Sequence, residues 1–180
     1  MEIRSLTPAD AEAYQALVIE GSRVLPASFG VSHEELLAEP MDAVRERLRP
    51  DGDPAGRMFG VFDGSGTLAG VVGVRQYSLR KMRHKGTLGR MFVAPEFRRL
   101  SLARRLLETA LAYAREIGLE QLTLIVDEKN EAARRLYDSY GFVAFGIEPR
   151  ELKIGDTYCD SVHMWLRLDA PPSGDGGHSR

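Results

Sequence analysis

Arginines and small residues concentrate at one point of the sequence, between a β-rich segment and an amphipathic helical segment. Residues 98–104 read RRLSLAR, so arginines flank Ser101 and Ala103 on both sides. The first turn of a helix has backbone N–H groups without intrahelical partners, and the helix dipole is positive there. Extra positive charge at this end is unfavourable unless an anion binds. The junction therefore favours a phosphate or pyrophosphate site over its alternative, a surface helix with a basic first turn.

The elements around this junction must bring it to the edge of a sheet. Residues 86–93 and 121–126 are predicted strands, and the helix predicted over 101–117 lies between them. A strand–helix–strand unit of this kind is right-handed, so its two strands are expected to be parallel. The helix has one continuous apolar face, formed by Ala103, Leu106, Leu107, Ala110, Leu111 and Ala114.

The rest of the chain is predicted to form helices and antiparallel strands. A strand at EIRSL precedes two helical stretches capped at Thr7 and Ser32, the second interrupted by proline and ending near Arg49. DGDPAG is a predicted loop, and RMFGVFD and TLAGVVGVRQYSL form a hairpin around GSG. NEAARRLYDSY reads as a helix capped by Asn130 and stopped by Gly141. The sequence ends in a hairpin around IGD and a tail, 169–180, that is expected to be disordered.

Composition and charge exclude several classes of protein. The chain has 180 residues, of which 43% are hydrophobic and 28% charged, and its net charge is −2. These values indicate one globular domain, expected over residues 1–168, and argue against general nucleic-acid binding. No apolar run is long enough to cross a membrane, and MEIRSLTPAD does not read as a signal segment. A lone cysteine, Cys159, excludes an internal disulfide, so we expect a cytoplasmic protein.

Other candidate motifs are weaker. GSGTLA at 64–69 matches the short form of a dinucleotide fingerprint, but a β-rich segment follows where a helix is required, so a hairpin turn is predicted. The four histidines and Cys159 lack the spacing of metal ligands, and we expect no metal. Arg80, Lys81, Arg83, His84 and Lys85 cluster in one connector, which is predicted to be a solvated turn; a role in steering substrate is the alternative.

Two segments together resemble the signature motifs of GCN5-related N-acetyltransferases (GNAT). RMFVAPEFRRLSLA is similar to the family's V-x-P followed by [QR]-x-x-G-x-[GA], with Ser101 where the family usually has glycine. NEAARRLYDSYGF is similar to the later N…A…LYxxxGF motif. The resemblance extends over roughly residues 1–168. It implies an α/β (mixed α+β) fold, in which a mostly antiparallel sheet with two splayed parallel strands is flanked by helices.

The resemblance also implies a reaction and a site. The reaction would be acetyl transfer from acetyl-CoA to a primary amine by direct attack in a ternary complex. The pyrophosphate would meet the backbone of Arg98, Arg99, Leu100, Ser101, Leu102, Ala103 and Arg104, and the pantetheine arm would pair with Met91, Phe92 and Val93. Asn130 and Tyr137 would line the thioester end, with Tyr137 as general acid. Because serine tolerates positive φ less well than glycine and is a good N-cap, Ser101 is read as tuning donor binding rather than abolishing it.

Several points stay open. Many family members have a glutamate before the apolar triplet, but Thr87 and Gly89 here offer no base; Asp127, Glu148 or a water are the candidates. Arg75 and Tyr77 are candidates for lining the acceptor cleft, and the acceptor is not identified. The competing functions are a non-catalytic acyl-CoA-binding sensor and a domain for another phosphorylated ligand. The edge of the final hairpin makes a homodimer a candidate assembly.

Overall fold

The computed structural model describes residues 1–50 and 56–169. A seven-stranded mixed sheet has the order β1-β2-β3-β4-β5-β7-β6, in which β4 and β5 are parallel and every other neighbouring pair is antiparallel. The strands are β1 (Glu2–Ser5), β2 (Gly56–Phe62), β3 (Leu68–Gln76), β4 (Lys85–Val93), β5 (Gln121–Asp127), β6 (Val143–Ile154) and β7 (Thr157–Arg167).

In the described part of the chain, five α-helices flank this sheet. They are α1 (Ala11–Val24), α2 (His33–Ala38), α3 (Met41–Arg47), α4 (Leu102–Glu116) and α5 (Glu131–Ser139). The mixed sheet with one parallel pair confirms the predicted fold class. The predicted proline interruption is also confirmed, since Pro40 separates α2 from α3. The predicted disordered tail lies outside the described residues from residue 170 onward, as does the DGDPAG loop up to residue 55.

Local capping residues set several of these boundaries. The Ser32 hydroxyl accepts a hydrogen bond from the Glu35 amide at 3.2 Å, and the Glu35 carboxylate accepts one from the Ser32 amide. Thr7 begins a single 3-10 turn, Pro8–Asp10, and α1 follows it, so the predicted helix starts with a tighter first turn. Gly141, at φ 85°, ends the segment after α5 in a conformation that suits glycine.

The sheet has a separate apolar core on each face. Helix α4 packs Leu106, Leu107 and Ala110 against residues of the central strands such as Val72 and Leu88. On the other face, α1 to α3 pack against β2, β3 and β4, with Tyr14 of α1 almost fully buried. Alternate residues of β3 therefore point to opposite faces: Val72 and Val74 towards α4, and Gly73 and Arg75 towards α1 to α3.

Candidate functional site

A β-bulge in β4 shapes the centre of the sheet. Val71 pairs with Phe92 and Gly73 pairs with Gly89, so Val72 alone lies opposite two residues, Arg90 and Met91. Arg90 has φ 52°, a left-handed conformation that is uncommon for any residue except glycine. Bulges often re-aim side chains beside active sites. This one reverses the faces of the residues beyond it, and Phe92 consequently packs in the core under α1.

The two parallel strands separate next to this bulge. Cα pairing between β4 and β5 ends at Thr87 and Thr123, although β5 continues to pair with β7 as far as Asp127. The edge of β4 beyond Leu88 therefore faces a gap rather than a neighbouring strand. The predicted splay is present, and it leaves backbone N–H and C=O groups that an extended ligand could pair.

A cavity of about 240 Å³ fills this gap at the bulge. Its walls come from β4, β5, β6, β7, α5 and the segment after α1, so six parts of the chain converge on it. Three of the predicted site residues are among its lining: Met91, Asn130 and Tyr137. The structure thus brings together residues that lie as much as 46 positions apart in the chain.

Tyr137 is buried at this cavity, with 6% of its surface exposed. Its hydroxyl donates to the sulfur of Met91 at 3.4 Å, and its ring makes an edge-to-face contact with Phe142. Burial raises the pKa of Tyr137 to about 12, because the surrounding apolar groups disfavour the phenolate. The hydroxyl therefore stays protonated at neutral pH and can act as a donor.

Asn130 has a structural function as well as its place in the lining. Its side-chain oxygen accepts a hydrogen bond from the amide of Ala133 at 3.1 Å and so caps α5. This cap fixes the start of the helix that holds Tyr137. The amide nitrogen of the same side chain is the atom left for a ligand.

The amino terminus of α4 forms a second cavity, of about 310 Å³. Arg99 and Ser101 both adopt left-handed conformations, at φ 66° and 57°, with Leu100 between them. The amides of residues 102–104 have no acceptor within the described part of the chain. The lining includes seven of the predicted residues: Val93, Arg98, Arg99, Ser101, Leu102, Ala103 and Arg104.

Ser101 differs from expectation in one respect. Its hydroxyl accepts no capping hydrogen bond, because the left-handed backbone turns it away from the first amides of α4. Serine tolerates positive φ less well than glycine, yet Ser101 still adopts the left-handed conformation that the turn requires. The energetic cost is on the order of 1 kcal/mol. The turn geometry is kept, and the exposed hydroxyl lies beside the cavity.

Two of the predicted residues line neither cavity. Phe92 is buried and makes an edge-to-face contact with Phe29, with ring centroids 6.0 Å apart, so only its backbone is available to a ligand. Leu100 is 52% exposed, and its side chain contributes to neither lining.

The candidate bases lie in different places. Asp127 lines the first cavity at the end of β5, and its carboxylate accepts from the amide of Lys129 at 3.2 Å. Glu148 lies outside that lining, where its carboxylate is 2.9 Å from Nε2 of His163. A third carboxylate, Glu151, lines the cavity but was not singled out in the sequence. It reaches the site because β6 is irregular between Glu148 and Leu152, which no local pattern announces.

A third cleft, of about 480 Å³, meets the first one at Gly89 and Arg90. Arg75 lines it, together with arginines from α3 and β4, and its role towards an acceptor stays a prediction. Tyr77 lies beyond the end of β3, where the ammonium of Lys85 is 5.3 Å from its ring centroid, and is not part of this lining.

The described residues contain neither a cluster of metal ligands nor a membrane-spanning helix. No three His, Cys, Asp or Glu side chains of the described residues gather into a possible metal site. Within residues 1–50 and 56–169, no helix combines the length and apolarity that crossing a membrane requires.

Known proteins of similar sequence and structure are acetyltransferases. Over 110 residues the chain is 36% identical to a mycothiol acetyltransferase of Thermobispora bispora, a match that covers 59% of this chain. It covers 36% of the relative, so the chain spans about a third of the length of the curated relatives it matches. A second relative of that name, from Propionibacterium freudenreichii subsp. shermanii, is 31% identical over 113 residues.

Solved structures show the same fold. A ribosomal-protein-alanine N-acetyltransferase from Brucella melitensis superposes with a TM-score of 0.81 at 21% identity, covering 93% of this chain and all of that one. A Salmonella typhimurium protein solved with its cofactor acetyl-CoA has a TM-score of 0.77 at 20% identity, covering 98% of this chain and 99% of that one.

The family is shown by a match to its sequence model. The model described as the acetyltransferase (GNAT) family matches residues 23–142, which include α2 to α5 and both motifs identified in the sequence. The predicted family is confirmed, and with it the family's use of acetyl-CoA as the donor. This chain belongs to the acetyltransferase (GNAT) family.

Proposed function

We propose that this protein transfers an acetyl group from acetyl-CoA to the nitrogen of a primary amine. The observation that carries the proposal is that the two donor-side cavities lie next to each other along β4. Met91 lines the first cavity and Val93 lines the second, so three consecutive residues on the open edge of β4 connect them. A ligand extended along this edge would place an anionic end at α4 and a reactive end at Tyr137.

The described residues fit the donor chemically. Free amides of residues 102–104 and the guanidinium groups of Arg98, Arg99 and Arg104 suit a pyrophosphate. The unpaired edge of β4 suits the amide groups of a pantetheine arm, which can add to the sheet like a strand. Tyr137, buried beside Met91, suits the thioester end.

The reaction needs one bond to form and one to break. The neutral amine nitrogen attacks the thioester carbonyl and the new bond joins nitrogen to carbon. The carbon–sulfur bond breaks, the nitrogen loses one proton as the amide forms, and the departing sulfur gains one, so CoA leaves as the thiol. Tyr137 is positioned to give its proton, or a hydrogen bond, to the departing sulfur. Its raised pKa keeps that proton in place at neutral pH.

The amine must be neutral before it attacks, because an ordinary alkylamine has a pKa near 10.4. Asp127 and Glu151 are the carboxylates that line the cavity, and we propose that one of them receives the proton directly or through a water. Glu148 is a weaker candidate, since it lies outside the lining and is paired with His163.

A non-catalytic acyl-CoA sensor is the second candidate function. Its specific support is that Thr87 and Gly89 supply no carboxylate on β4 and that Ser101 holds a strained turn at the phosphate cavity. The buried, protonated hydroxyl of Tyr137 at the other end of the donor path favours the enzyme, because a sensor has no need of a proton donor there.

The test is the variant Tyr137→Phe, assayed for release of CoA thiol in the presence of a panel of primary amines. We expect kcat to fall about 100-fold, the usual size of a lost general acid, while the dissociation constant of acetyl-CoA changes less than threefold. The matched control is Tyr140→Phe, which removes the exposed tyrosine hydroxyl that bonds Glu108 on the neighbouring helix. Tight acetyl-CoA binding without transfer to any amine by the wild-type protein would reject the enzyme and favour the sensor.

A further inference from the structure

The cleft that meets the donor-side cavity at Gly89 is unusually rich in arginine. It lies on the α1–α3 face of the sheet, and its walls include the guanidinium-bearing residues Arg47, Arg49, Arg75 and Arg90. Arg57 also borders it, but the Arg57 guanidinium stacks 4.8 Å above the ring of Tyr113 on α4 and so belongs to the opposite face. No Asp or Glu of the described residues is part of the lining.

Two of these arginines are neutralised by neighbouring carboxylates. Arg47 donates to both carboxylate oxygens of Glu39, one of them at 3.0 Å, and these hydrogen bonds are the main reason that the pKa of Glu39 is lowered. Arg49 forms an ion pair with Glu46 at 2.9 Å. These pairs shape the α3 side of the cleft but add little net charge to it.

The other two arginines, Arg75 and Arg90, form no ion pair with a carboxylate of the described residues. Arg90 donates at 3.1 Å to the hydroxyl of Tyr14, a neutral group that orients the guanidinium, and Glu39 lies near enough to feel its charge weakly. Arg75 is exposed on β3 and has no acidic partner among residues 1–50 and 56–169. Among the described residues, the cleft thus has two guanidinium groups without an ion-pair partner and no acid in its walls, which makes this part of it complementary to an anion.

The floor of the cleft is open where it meets the donor side. Gly73 and Gly89 are paired across β3 and β4; the Met58 side chain covers Gly73, and Gly89 is left open. A Cβ atom built on Gly89 would meet no atom within 4 Å. Since Gly89 lines both cavities, a small amine can lie over it and approach the thioester end from the α1–α3 face.

The arginine end of the cleft, at Arg75, lies close to the open floor at Gly89. Arg75 is paired with Thr87, two residues before Gly89 on β4, which is about 7 Å along a strand. The basic connector 80–85 joins the same ends of β3 and β4, and adds positive potential where an anion would enter. The separation suits an acceptor whose amine and anionic group are several bonds apart.

We propose that the acceptor is an amine carrying a carboxylate or phosphate group, which Arg75 and Arg90 bind while the amine lies over Gly89. This inference rests on the proposed acetyl transfer and names the substrate class for that site. Guanidinium groups bind either anion through two parallel hydrogen bonds, so the two share one recognition chemistry. The glycine floor fixes the path of the amine, and the arginines determine which amines are selected.

The experiment compares matched acceptors on the wild-type protein, Arg75→Gln and Arg115→Gln. The acceptors are straight-chain primary amines of equal length that end in a carboxylate, a phosphate or a neutral amide. Arg115 is an exposed arginine on α4, across the sheet from the cleft, and controls for loss of one positive charge. CoA release gives kcat/KM, and calorimetry on the CoA-saturated protein gives binding of each amine independently of turnover.

We expect the wild-type protein to prefer one of the anionic series over the amide by at least tenfold in kcat/KM, and the better series identifies carboxylate or phosphate. Arg75→Gln should remove most of that preference through KM, with the amide unaffected, and Arg115→Gln should keep it. Equal use of the amide by the wild-type protein, or an unchanged preference in Arg75→Gln, would overturn the inference and leave acetyl transfer standing.

If no amine is acetylated although acetyl-CoA binds, the proposed transfer fails, and the calorimetric arm still decides the anion site. Tighter binding of the anionic amines that Arg75→Gln abolishes would support it. Equal or undetectable binding of all three series would reject it.

Discussion

Two regions of this protein concentrate positive charge and hydrogen-bond donors, and they do so by different means. The amino terminus of α4 presents free backbone amides and arginines that are neighbours in sequence, all within residues 98–104. The arginine cleft uses side chains alone, and its residues come from α3, β2, β3 and β4. Backbone amides are fixed by the fold and suit a ligand that every family member shares. Side chains can change one at a time and suit a ligand particular to this chain.

The largest expected effect concerns the backbone region. Ala103→Glu places a carboxylate among the amides and arginines proposed to bind pyrophosphate, and we expect the dissociation constant of acetyl-CoA to rise about 100-fold. Because a negative side chain in the first turn suits the helix dipole, the free energy of unfolding should not fall. Calorimetry and urea denaturation measure the two quantities.

The neutral variant Ala103→Gln separates charge from size. It should raise the dissociation constant much less than Ala103→Glu does. Equal losses in the two variants would mean that the side chain only blocks the cavity, and would break the assignment of phosphates to this region.

A smaller effect is expected where the arginine cleft meets the donor side. Gly89→Val fills the open floor, so KM for the amine should rise about tenfold while the dissociation constant of acetyl-CoA changes less than threefold. The added Cβ meets no atom within 4 Å. Gly146→Val, on the edge strand β6, is the matched control, since a Cβ there also has open space. A tenfold loss of donor binding in Gly89→Val with unchanged KM would assign Gly89 to the donor path alone.

The smallest effect concerns Ser101. Glycine adopts φ 57° without the steric cost that serine has, so Ser101→Gly should raise the free energy of unfolding by about 1 kcal/mol. Acetyl-CoA binding should change less than threefold, because the amides keep their positions. Ser101→Ala, which retains the Cβ and loses the hydroxyl, should bring no such gain in urea denaturation. Stabilisation by both variants would point to the hydroxyl rather than to the backbone conformation.

The contrast between the two regions also explains what could be predicted from the sequence. The start of α4, the Asn130 cap and the stop at Gly141 depend on residues a few positions apart, and the structure has all three where they were expected. The parallel pair followed from the handedness of the strand–helix–strand unit. Local chemistry and chain order thus determine the frame and the donor side.

The remaining features depend on contacts between distant residues. A bulge of one residue in β4 turns Phe92 into the core and aims Arg90 at Tyr14, and nothing in GRMFV distinguishes it from a regular strand. Glu151 reaches the cavity through an irregularity in β6. Arg47 and Arg75 line one cleft although they belong to α3 and β3, a tertiary arrangement that no spacing along the chain reveals.

The most direct test of the account is a calorimetric titration of the wild-type protein with acetyl-CoA and, separately, with acetyl-pantetheine, which keeps the thioester arm and lacks the phosphates. We predict tight binding of acetyl-CoA and at least 100-fold weaker binding of acetyl-pantetheine, because the α4 amides and arginines would lose their ligand. Equal affinities would contradict a phosphate site at α4, and an absence of acetyl-CoA binding would contradict the proposed function itself.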